Sequence, residues 1–274
     1  MNCRFSRRTF IAWILCLNCG FCLRAAPIHD AAGEGDVEKV RVLLKADPAL
    51  VDAARDGGVT PLMMAAFGGH LEMAKLLLEK GAAVDAKSNE GGGPLLYAAQ
   101  NGHLDVARLL LEKGAAVDAR TGEGFTPLIY AAQNGHQKVA ELLLQKGAAI
   151  EARESTKSFT PLLIAAHFGN LEVAKLLLEK GAAVDAKSNE GFTPLMWAAR
   201  KGQLEIVKLL LQKGANPSYV EAHGLTALWI AEKEGHAEIA EILKKAMQNR
   251  TSAPPAPGPD TGFEESLKAT AQAR

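Results

Sequence analysis

Cysteine is confined to the start of this 274-residue chain, at Cys3, Cys16, Cys19 and Cys22. The remaining chain must therefore fold without a disulfide bond or a cysteine metal site. The Cys-x-x-Cys-x-x-Cys spacing of residues 16–22 lies in an apolar stretch with no fourth ligand at a matching distance, so we do not expect an iron–sulfur cluster.

The chain also lacks an excess of charge of either sign, with 31 basic and 31 acidic residues. Proteins that bind nucleic acid usually carry a basic excess, so the composition argues against a nucleic-acid partner. A hydrophobic content of 48% and a charged content of 23% are ordinary for a folded, soluble protein.

Catalytic signatures are missing as well. The chain contains no G-x-S-x-G turn, no phosphate-binding P-loop and no H-E-x-x-H pair. The serines of the repeat region, Ser88, Ser155, Ser158, Ser188 and Ser218, lie in connecting loops, with no candidate base beside them. We therefore expect no enzymatic activity, no cofactor, no metal site and no small-molecule substrate.

The longest apolar run is short. Residues 10–23 are mostly apolar and follow a basic start with Arg4, Arg7 and Arg8. Fourteen helical residues span about 21 Å, less than the ~30 Å hydrocarbon core of a bilayer. A basic start followed by a short apolar run is typical of a secretory signal peptide, which we place at residues 1–25.

Export of the chain is thus the first expectation for its location, in the periplasm or as a secreted protein. The mature chain would begin near residues 23–27. The segment "SRRTFI" at residues 6–11 is similar to a twin-arginine export motif, which would indicate a bacterial source. The alternative is a membrane-anchored protein whose N-terminal segment is not cleaved.

An internal repeat dominates the rest of the chain. The phrase "AKLLLEKGAAVDAKSNEG" occurs at residues 74–91 and again at 174–191. A Thr-Pro-Leu phrase, or a close variant, recurs at steps of 33, 33, 34, 33 and 33 residues, beginning at Thr60, Gly93, Thr126, Thr160, Thr193 and Thr226. With an earlier unit near Ala26, the repeat domain comprises residues 26–247, with units starting near 26, 60, 93, 126, 160, 193 and 226.

Each unit predicts two short helices. Threonine is a good helix N-cap, and proline is favoured at the first helical position. A glycine ends each first helix, and a Leu-rich segment such as residues 171–180 predicts a second, amphipathic helix. Helices of eight to ten residues are too short to be stable alone, since about 12–15 residues are needed for marginal stability, so the units must stack.

The period and the order T-P-L, A-A, G-H, L-L-L, G-A resemble ankyrin repeats, over nearly the whole chain after residue 25. The resemblance implies an all-α repeat solenoid, a stack of about seven helix–turn–helix units with β-hairpin loops. One departure is clear: the histidine that usually follows T-P-L is retained only at His29 and is replaced by Met63, Leu96, Ile129, Leu163, Met196 and Trp229.

Residues 248–274 are rich in proline and small polar residues in their first half. This composition is typical of a flexible tail.

Histidine recurs at one repeat position, at His70, His103, His136 and His236. Packed helices lie about 8–10 Å apart, whereas Zn–N bonds are about 2.0–2.1 Å long, so neighbouring units cannot share one ion. Asn170 and Gln203 occupy the same position, which favours a polar group that satisfies loop backbone atoms.

The resemblance further implies that partners contact the hairpin tips and the ends of the first helices, on a concave face. In this chain those positions hold a mixture of amides, charges and aromatic rings, which suits a protein interface. The predicted protein-binding residues are Asn89, Glu90, Gln100, Asn101, Glu123, Phe125, Gln133, Asn134, Lys157, Phe159, His167, Phe168, Asn189, Glu190, Phe192, Arg200 and Lys201.

The phenylalanines of this set, Phe125, Phe159, Phe168 and Phe192, are expected at the centre of the contact. An alternative is that three of them pack against the next hairpin, because they directly precede a structural threonine or its equivalent. Phe168 does not, and is the stronger candidate for exposure.

The sequence therefore predicts a monomeric, non-catalytic scaffold that binds another protein through its concave face and hairpin tips. One alternative is a membrane-anchored organiser of an envelope complex, held by an uncleaved N-terminal segment. An enzymatic or small-molecule role would need convergent polar residues in one pocket, and the sequence offers none.

Overall fold

The computed structural model describes residues 26–251, so the predicted signal peptide and most of the predicted tail lie outside the described residues. Within this range the chain forms fourteen α-helices and no β-strand. The first helices of successive units are α1 (Ala26–Glu34), α3 (Pro61–Gly68), α5 (Pro94–Asn101), α7 (Pro127–Asn134), α9 (Pro161–Phe168), α11 (Pro194–Arg200) and α13 (Ala227–Lys233). The second helices are α2 (Val37–Ala46), α4 (Leu71–Glu79), α6 (Leu104–Glu112), α8 (Gln137–Gln145), α10 (Leu171–Glu179), α12 (Leu204–Gln212) and α14 (Ala237–Thr251).

The repeated threonines start the first helices as the sequence predicts. The Oγ1 atom of Thr160, for example, accepts a hydrogen bond from the N–H of Leu163 at 3.3 Å. Gly93, which replaces threonine, offers no such bond, yet its helix still begins at Pro94. A glycine lies one or two residues after the end of each of the seven first helices, with φ between 70° and 83°, a conformation that other residues rarely adopt.

Consecutive first helices pack against one another, and consecutive second helices form the other layer. The paired alanines of the first helices, such as Ala98 and Ala99, are fully buried between units. Their small side chains allow close helix packing, and the leucines of the second helices complete one continuous core.

The recurring histidines hold adjacent units together. The Nε2 atom of His103 lies 2.9 Å from the carbonyl oxygen of Phe67, and that of His136 lies 3.0 Å from Gln100 O. Asn170 donates to the carbonyl oxygen of Gln133 in the same way, at 2.9 Å. The prediction that this position satisfies backbone atoms is confirmed, and each of these side chains bridges to the preceding unit.

A second ladder between units was not predicted. A carboxylate near the end of one unit accepts a hydrogen bond from a backbone N–H of the next, at 2.8–3.1 Å. The acceptors are Asp52, Asp85, Asp118, Glu151 and Asp185, and the donors are Ala83, Ala116, Ala149, Ala183 and Asn216.

Removal of one carboxylate from this ladder should destabilise the stack. We expect Asp118→Ala to lower the free energy of unfolding by about 1 kcal/mol, because the Ala149 N–H loses a charged acceptor at a partly solvated site. Urea denaturation followed by circular dichroism measures the change. Asp118→Asn keeps an acceptor oxygen and is the control; an equal loss in both variants would show that the hydrogen bond is not the cause.

The last helix extends past the predicted end of the repeat domain. The sequence predicts that the domain ends at residue 247 and that the tail begins at 248, whereas α14 continues to Thr251. Units two to six carry a left-handed glycine at the position of Met247, as Gly214 does one period earlier. Methionine does not favour that conformation, so the helix is not terminated there.

Candidate functional site

Tight turns connect the units where the sequence predicts hairpin loops. In the turn at residues 88–92, the N–H of Ser88 donates to Gly92 O at 2.8 Å, and the N–H of Gly91 donates to Ser88 O at 2.8 Å. The side chain of Ser88 also accepts a bond from Gly92 N–H. The hairpins are thus reduced to turns too short to form strands in the described chain.

Glu154 serves as the turn-closing side chain in its unit, although it is buried. It accepts hydrogen bonds from the backbone N–H groups of Thr156, Lys157 and Phe159 at 2.6, 2.8 and 2.9 Å. Burial alone would raise the pKa of this carboxyl, but the bonds from Phe159 and Thr156 outweigh burial and lower the pKa. Glu154 is therefore a structural carboxylate.

The turn tips are linked to one another along the stack. The N–H of Gly122 donates to Glu90 O at 2.9 Å, the N–H of Ser155 donates to Glu123 O at 2.8 Å, and the N–H of Asn189 donates to Lys157 O at 2.9 Å. Because backbone atoms make these links, the tip side chains face outward. Those of Asn89, Glu90, Glu123, Asn189 and Glu190 are exposed.

The tips and the ends of the first helices share one surface, which we call the groove face. The ring of Phe125, beside one tip, lies 5.3 Å from the ring of Tyr130 on α7. A cleft of about 160 Å³ is lined by residues of the tip segments and of α11 and α13, including Phe192, Arg200 and Trp229. These contacts place the turn tips and the first helices along one face of the stack.

Some side-chain amides at the ends of the first helices of units three and four donate hydrogen bonds to backbone carbonyl oxygens of this chain. Asn101 donates to the carbonyl oxygen of Tyr97 at 3.0 Å, and Asn134 donates to Gln100 O at 3.0 Å. Gln100, Asn101 and Gln133 are half-buried, whereas Asn134 is exposed. These side chains give the groove face of units three and four a polar surface, in which the hydrogen bonds fix the orientation of Asn101 and Asn134.

Two of the predicted contact residues require correction. Phe159 and Phe192 are only 7% and 8% exposed, so they are not available at the centre of a contact. Their ring centroids lie 5.3 and 5.4 Å from that of Trp197, which they support from two sides. Phe125 is half-buried against Tyr130. The packing alternative therefore describes Phe159 and Phe192.

Phe168 is exposed, as predicted, with 44% of its surface accessible. It lies at the end of α9, and its ring is 4.8 Å from that of His167. His167 in turn contacts Trp197, with 4.7 Å between ring centroids. The guanidinium of Arg200 lies 5.3 Å from the Trp197 ring, close enough for a cation–π contact. We call Phe168, His167, Trp197 and Arg200 the aromatic cluster.

The electrostatic environment of the cluster is positive. Burial and the nearby cations Lys201, Lys157 and Arg200 lower the pKa of His167 to about 4. His167 is therefore neutral at pH 7. Within the described chain, its buried Nδ1 atom and the Nε1 atom of Trp197 have no hydrogen-bond partner.

Sequence reasoning missed Trp229 as a surface residue. Its equivalents in earlier units are buried, whereas Trp229 is 44% exposed. The ammonium of Lys233 lies 5.5 Å from its ring. A signal for this was available in the sequence, because the T-P-L phrase that begins each next unit does not recur in residues 227–274.

Among residues 26–251, no group of three or more His, Cys, Asp or Glu side chains is arranged to hold a metal ion. None of the helices in the same range is long and apolar enough to span a membrane.

The stacked helix pairs and the groove face define a helical repeat protein, and comparisons with known proteins name the class. A family model described as ankyrin repeats (3 copies) matches residues 8–88, 28–121, 84–154, 149–220 and 185–253. The chain belongs to the ankyrin repeat family. The crystal structure of the human ASB11 ankyrin repeat domain is similar, with a TM-score of 0.71 and 31% identity, over 84% of this chain and 99% of that one.

Curated relatives match over shorter segments. The NAD-capped RNA hydrolase NUDT12 of Homo sapiens is 43% identical over 53 residues, which is 19% of this chain and 12% of that protein. The probable E3 ubiquitin-protein ligase XBOS33 of Oryza sativa subsp. japonica is 48% identical over 52 residues, or 19% of this chain and 10% of that protein. Because the match covers about a tenth of each relative, their activities do not carry over.

Membership in this family implies a scaffold that binds protein. Such repeats are typically non-catalytic, since the stack supplies surfaces for contact instead of reacting groups.

Proposed function

We propose that the chain is a non-catalytic scaffold that binds another protein through its groove face, centred on units five and six. The observation that carries this proposal is the exposed Phe168 beside half-buried His167 and buried Trp197, with Arg200 and Lys201 at the end of the next first helix. An aromatic anchor on a rigid base, rimmed by charges, has the character of an interface hot spot.

Phe168 packs against a series of ring contacts. Phe159 and Phe192 contact Trp197, Trp197 contacts His167, and His167 contacts Phe168, so the exposed ring lies on a packed base. Interface residues that are already ordered lose less conformational entropy on binding. The two buried phenylalanines therefore contribute to binding indirectly, by positioning the residues above them.

A partner-capture experiment tests this proposal. The full chain is immobilised and exposed to envelope extract of the source organism, beside the variant Phe168→Ala/Arg200→Ala/Lys201→Ala. A matched control, Val42→Ala/Arg41→Ala/Lys45→Ala, removes one exposed apolar and two cationic side chains from α2, on the other layer. We expect a protein retained by the parent and by the control but lost by the groove variant.

Two results would contradict the proposal. Equal retention by all three chains would move the binding site away from units five and six. Failure of the parent to retain any protein would count against the scaffold function in that compartment.

For the location, we propose export to the periplasm or the medium, on the basis of the basic residues 1–8 and the apolar residues 10–23. The alternative is an anchored organiser of an envelope complex. Fractionation separates the two: an anchored chain resists a salt wash and is released by detergent, whereas an exported chain is recovered in soluble form with residues 1–22 absent from its intact mass.

A further inference from the structure

The groove face changes chemistry along its length. In units three and four, the last two residues of the first helices are amides: Gln100, Asn101, Gln133 and Asn134. The corresponding positions of units five to seven hold aromatic and charged side chains: His167, Phe168, Arg200, Lys201, Lys233 and Glu234. The two halves therefore offer different contacts to any segment that lies along the stack.

The charges of the turn tips also differ between the two halves of the groove face, with one exception. Exposed carboxylates, Glu90 and Glu123, lie at the tips directly before units three and four, and the half-buried Lys157 lies at the tip directly before unit five. Glu190 at the next tip is an exception. Arg200 is also partly neutralised by Glu234, with 3.7 Å between Nε and Oε1. Lys157, Lys201 and Lys233 still leave an excess of positive charge in the C-terminal half.

Burial is the largest cause of the pKa shifts of Tyr130 and His167, and the smaller electrostatic causes differ in sign between them. Burial, with the negative charge of Glu123, raises the pKa of Tyr130 to about 12. Burial, with the positive charges of Lys201 and Lys157, lowers the pKa of His167 to about 4. The charge at one end of the groove face thus favours cations nearby, and the charge at the other end favours anions.

We infer that the groove face binds an extended protein segment with segregated charges. An acidic stretch with one aromatic side chain would lie over Phe168 and Lys201, and a cationic stretch would lie near Glu90 and Glu123. With ~10 Å between units, this face spans about 30 Å over units three to six, which an extended segment of about nine residues covers. This inference rests on the proposed scaffold function and adds the chemistry of the partner.

Charge complementarity favours a segment with segregated charges over a uniformly charged one. Exposed cations around an exposed ring repel a basic segment and attract an acidic one, and the tip carboxylates do the reverse. A segment with one uniform charge would meet repulsion in one half. The division of charge therefore also fixes the direction in which the segment lies.

Peptide selection provides the test. A phage library of random twelve-residue peptides is selected on the full chain, and a selected peptide is then synthesised with a fluorophore for anisotropy titration. We expect the enriched sequences to carry Asp or Glu with Phe or Trp at one end and Lys or Arg at the other. Because the charges are exposed, affinity should fall as salt increases.

Charge reversal locates each end of the peptide. Arg200→Glu/Lys201→Glu and Glu90→Lys/Glu123→Lys should each weaken the selected peptide by about tenfold or more, since like charges would then face each other. A peptide whose cationic end is changed to Glu should recover binding to Glu90→Lys/Glu123→Lys but not to Arg200→Glu/Lys201→Glu. All four residues are exposed, and circular dichroism verifies that both variants fold.

Enriched peptides without segregated charge, a failure of the charge swap to restore binding, or no enrichment at all would overturn the inference. The partner-capture experiment is separate. A protein captured through Phe168, Arg200 and Lys201 would leave the scaffold function standing even then, whereas failure of both experiments would remove it as well.

Discussion

Trp197→Ala should cause a large loss of stability, about 3–5 kcal/mol in the free energy of unfolding. Trp197 is only 4% exposed and lies within 5.4 Å, between ring centroids, of Phe159, Phe192 and His167. Removal of the indole leaves a cavity that these three rings cannot all fill. Because units of a solenoid stabilise only their neighbours, the loss should fall on units five to seven.

Urea denaturation followed by circular dichroism at 222 nm measures this effect. Trp229→Ala is a matched control, because it makes the same substitution on the next first helix at a side chain that is 44% exposed, and should cost about 1 kcal/mol or less. Trp197→Tyr, which places the residue found at Tyr97 and Tyr130, should retain most of the stability. An equal loss in Trp197→Ala and Trp229→Ala would contradict the packing described above.

Acid should destabilise the stack through His167. Its pKa is lowered to about 4 in the folded chain, below its ordinary value of about 6.5. The unfolded chain therefore binds a proton at this residue that the folded chain does not bind between these values. The stability contributed by neutral His167 is complete above pH 6.5 and is lost as the pH falls towards 4. We expect a loss of about 2 kcal/mol, after allowance for partial solvent screening.

His167→Gln isolates this effect, since Gln100 and Gln133 occupy the same repeat position in other units. The difference in unfolding free energy between parent and variant, measured at intervals from pH 4 to 7.5, should change across this window and be flat above it. A difference independent of pH would show that His167 titrates normally in the folded chain.

The repeat architecture was predictable because its signals are local. Thr160 caps its helix, Pro161 begins it and Gly169 ends it, and each does so through its own backbone or a neighbour three residues away. The stacking requirement followed from helix length alone. The same signals, read at Met247, would have shown that the last helix has no glycine to end it.

Contacts that form only when the units stack were harder to predict from the sequence. Asp118 bonds to Ala149, 31 residues later, and nothing in the local sequence distinguishes it from an ordinary loop carboxylate. Phe159 was ambiguous for a related reason, because a ring before the capping threonine can point outward or towards the next unit. Phe159 points towards the next unit because its ring packs against Trp197 there, and this contact exists only when the units are stacked.

The sequence was sufficient to predict which residues lie on the groove face. It was not sufficient to predict how their side chains pack against one another. The sequence placed Phe168, Arg200 and Lys201 together by repeat register. It did not show that His167 and Trp197 form the base beneath them, since burial depends on which rings fill the space between α9 and α11. The partner is chosen by these surface side chains, and the fold itself does not specify it.

Site-specific photocrosslinking tests the central claim most directly. A benzoylphenylalanine residue replaces Phe168 in one chain and Val42, exposed on α2, in another, and each is irradiated in the native host. A binding site on the groove face predicts a defined protein adduct from position 168 and none from position 42. An adduct from position 42 alone, or the same adduct from both, would contradict the assignment of the groove face as the binding surface.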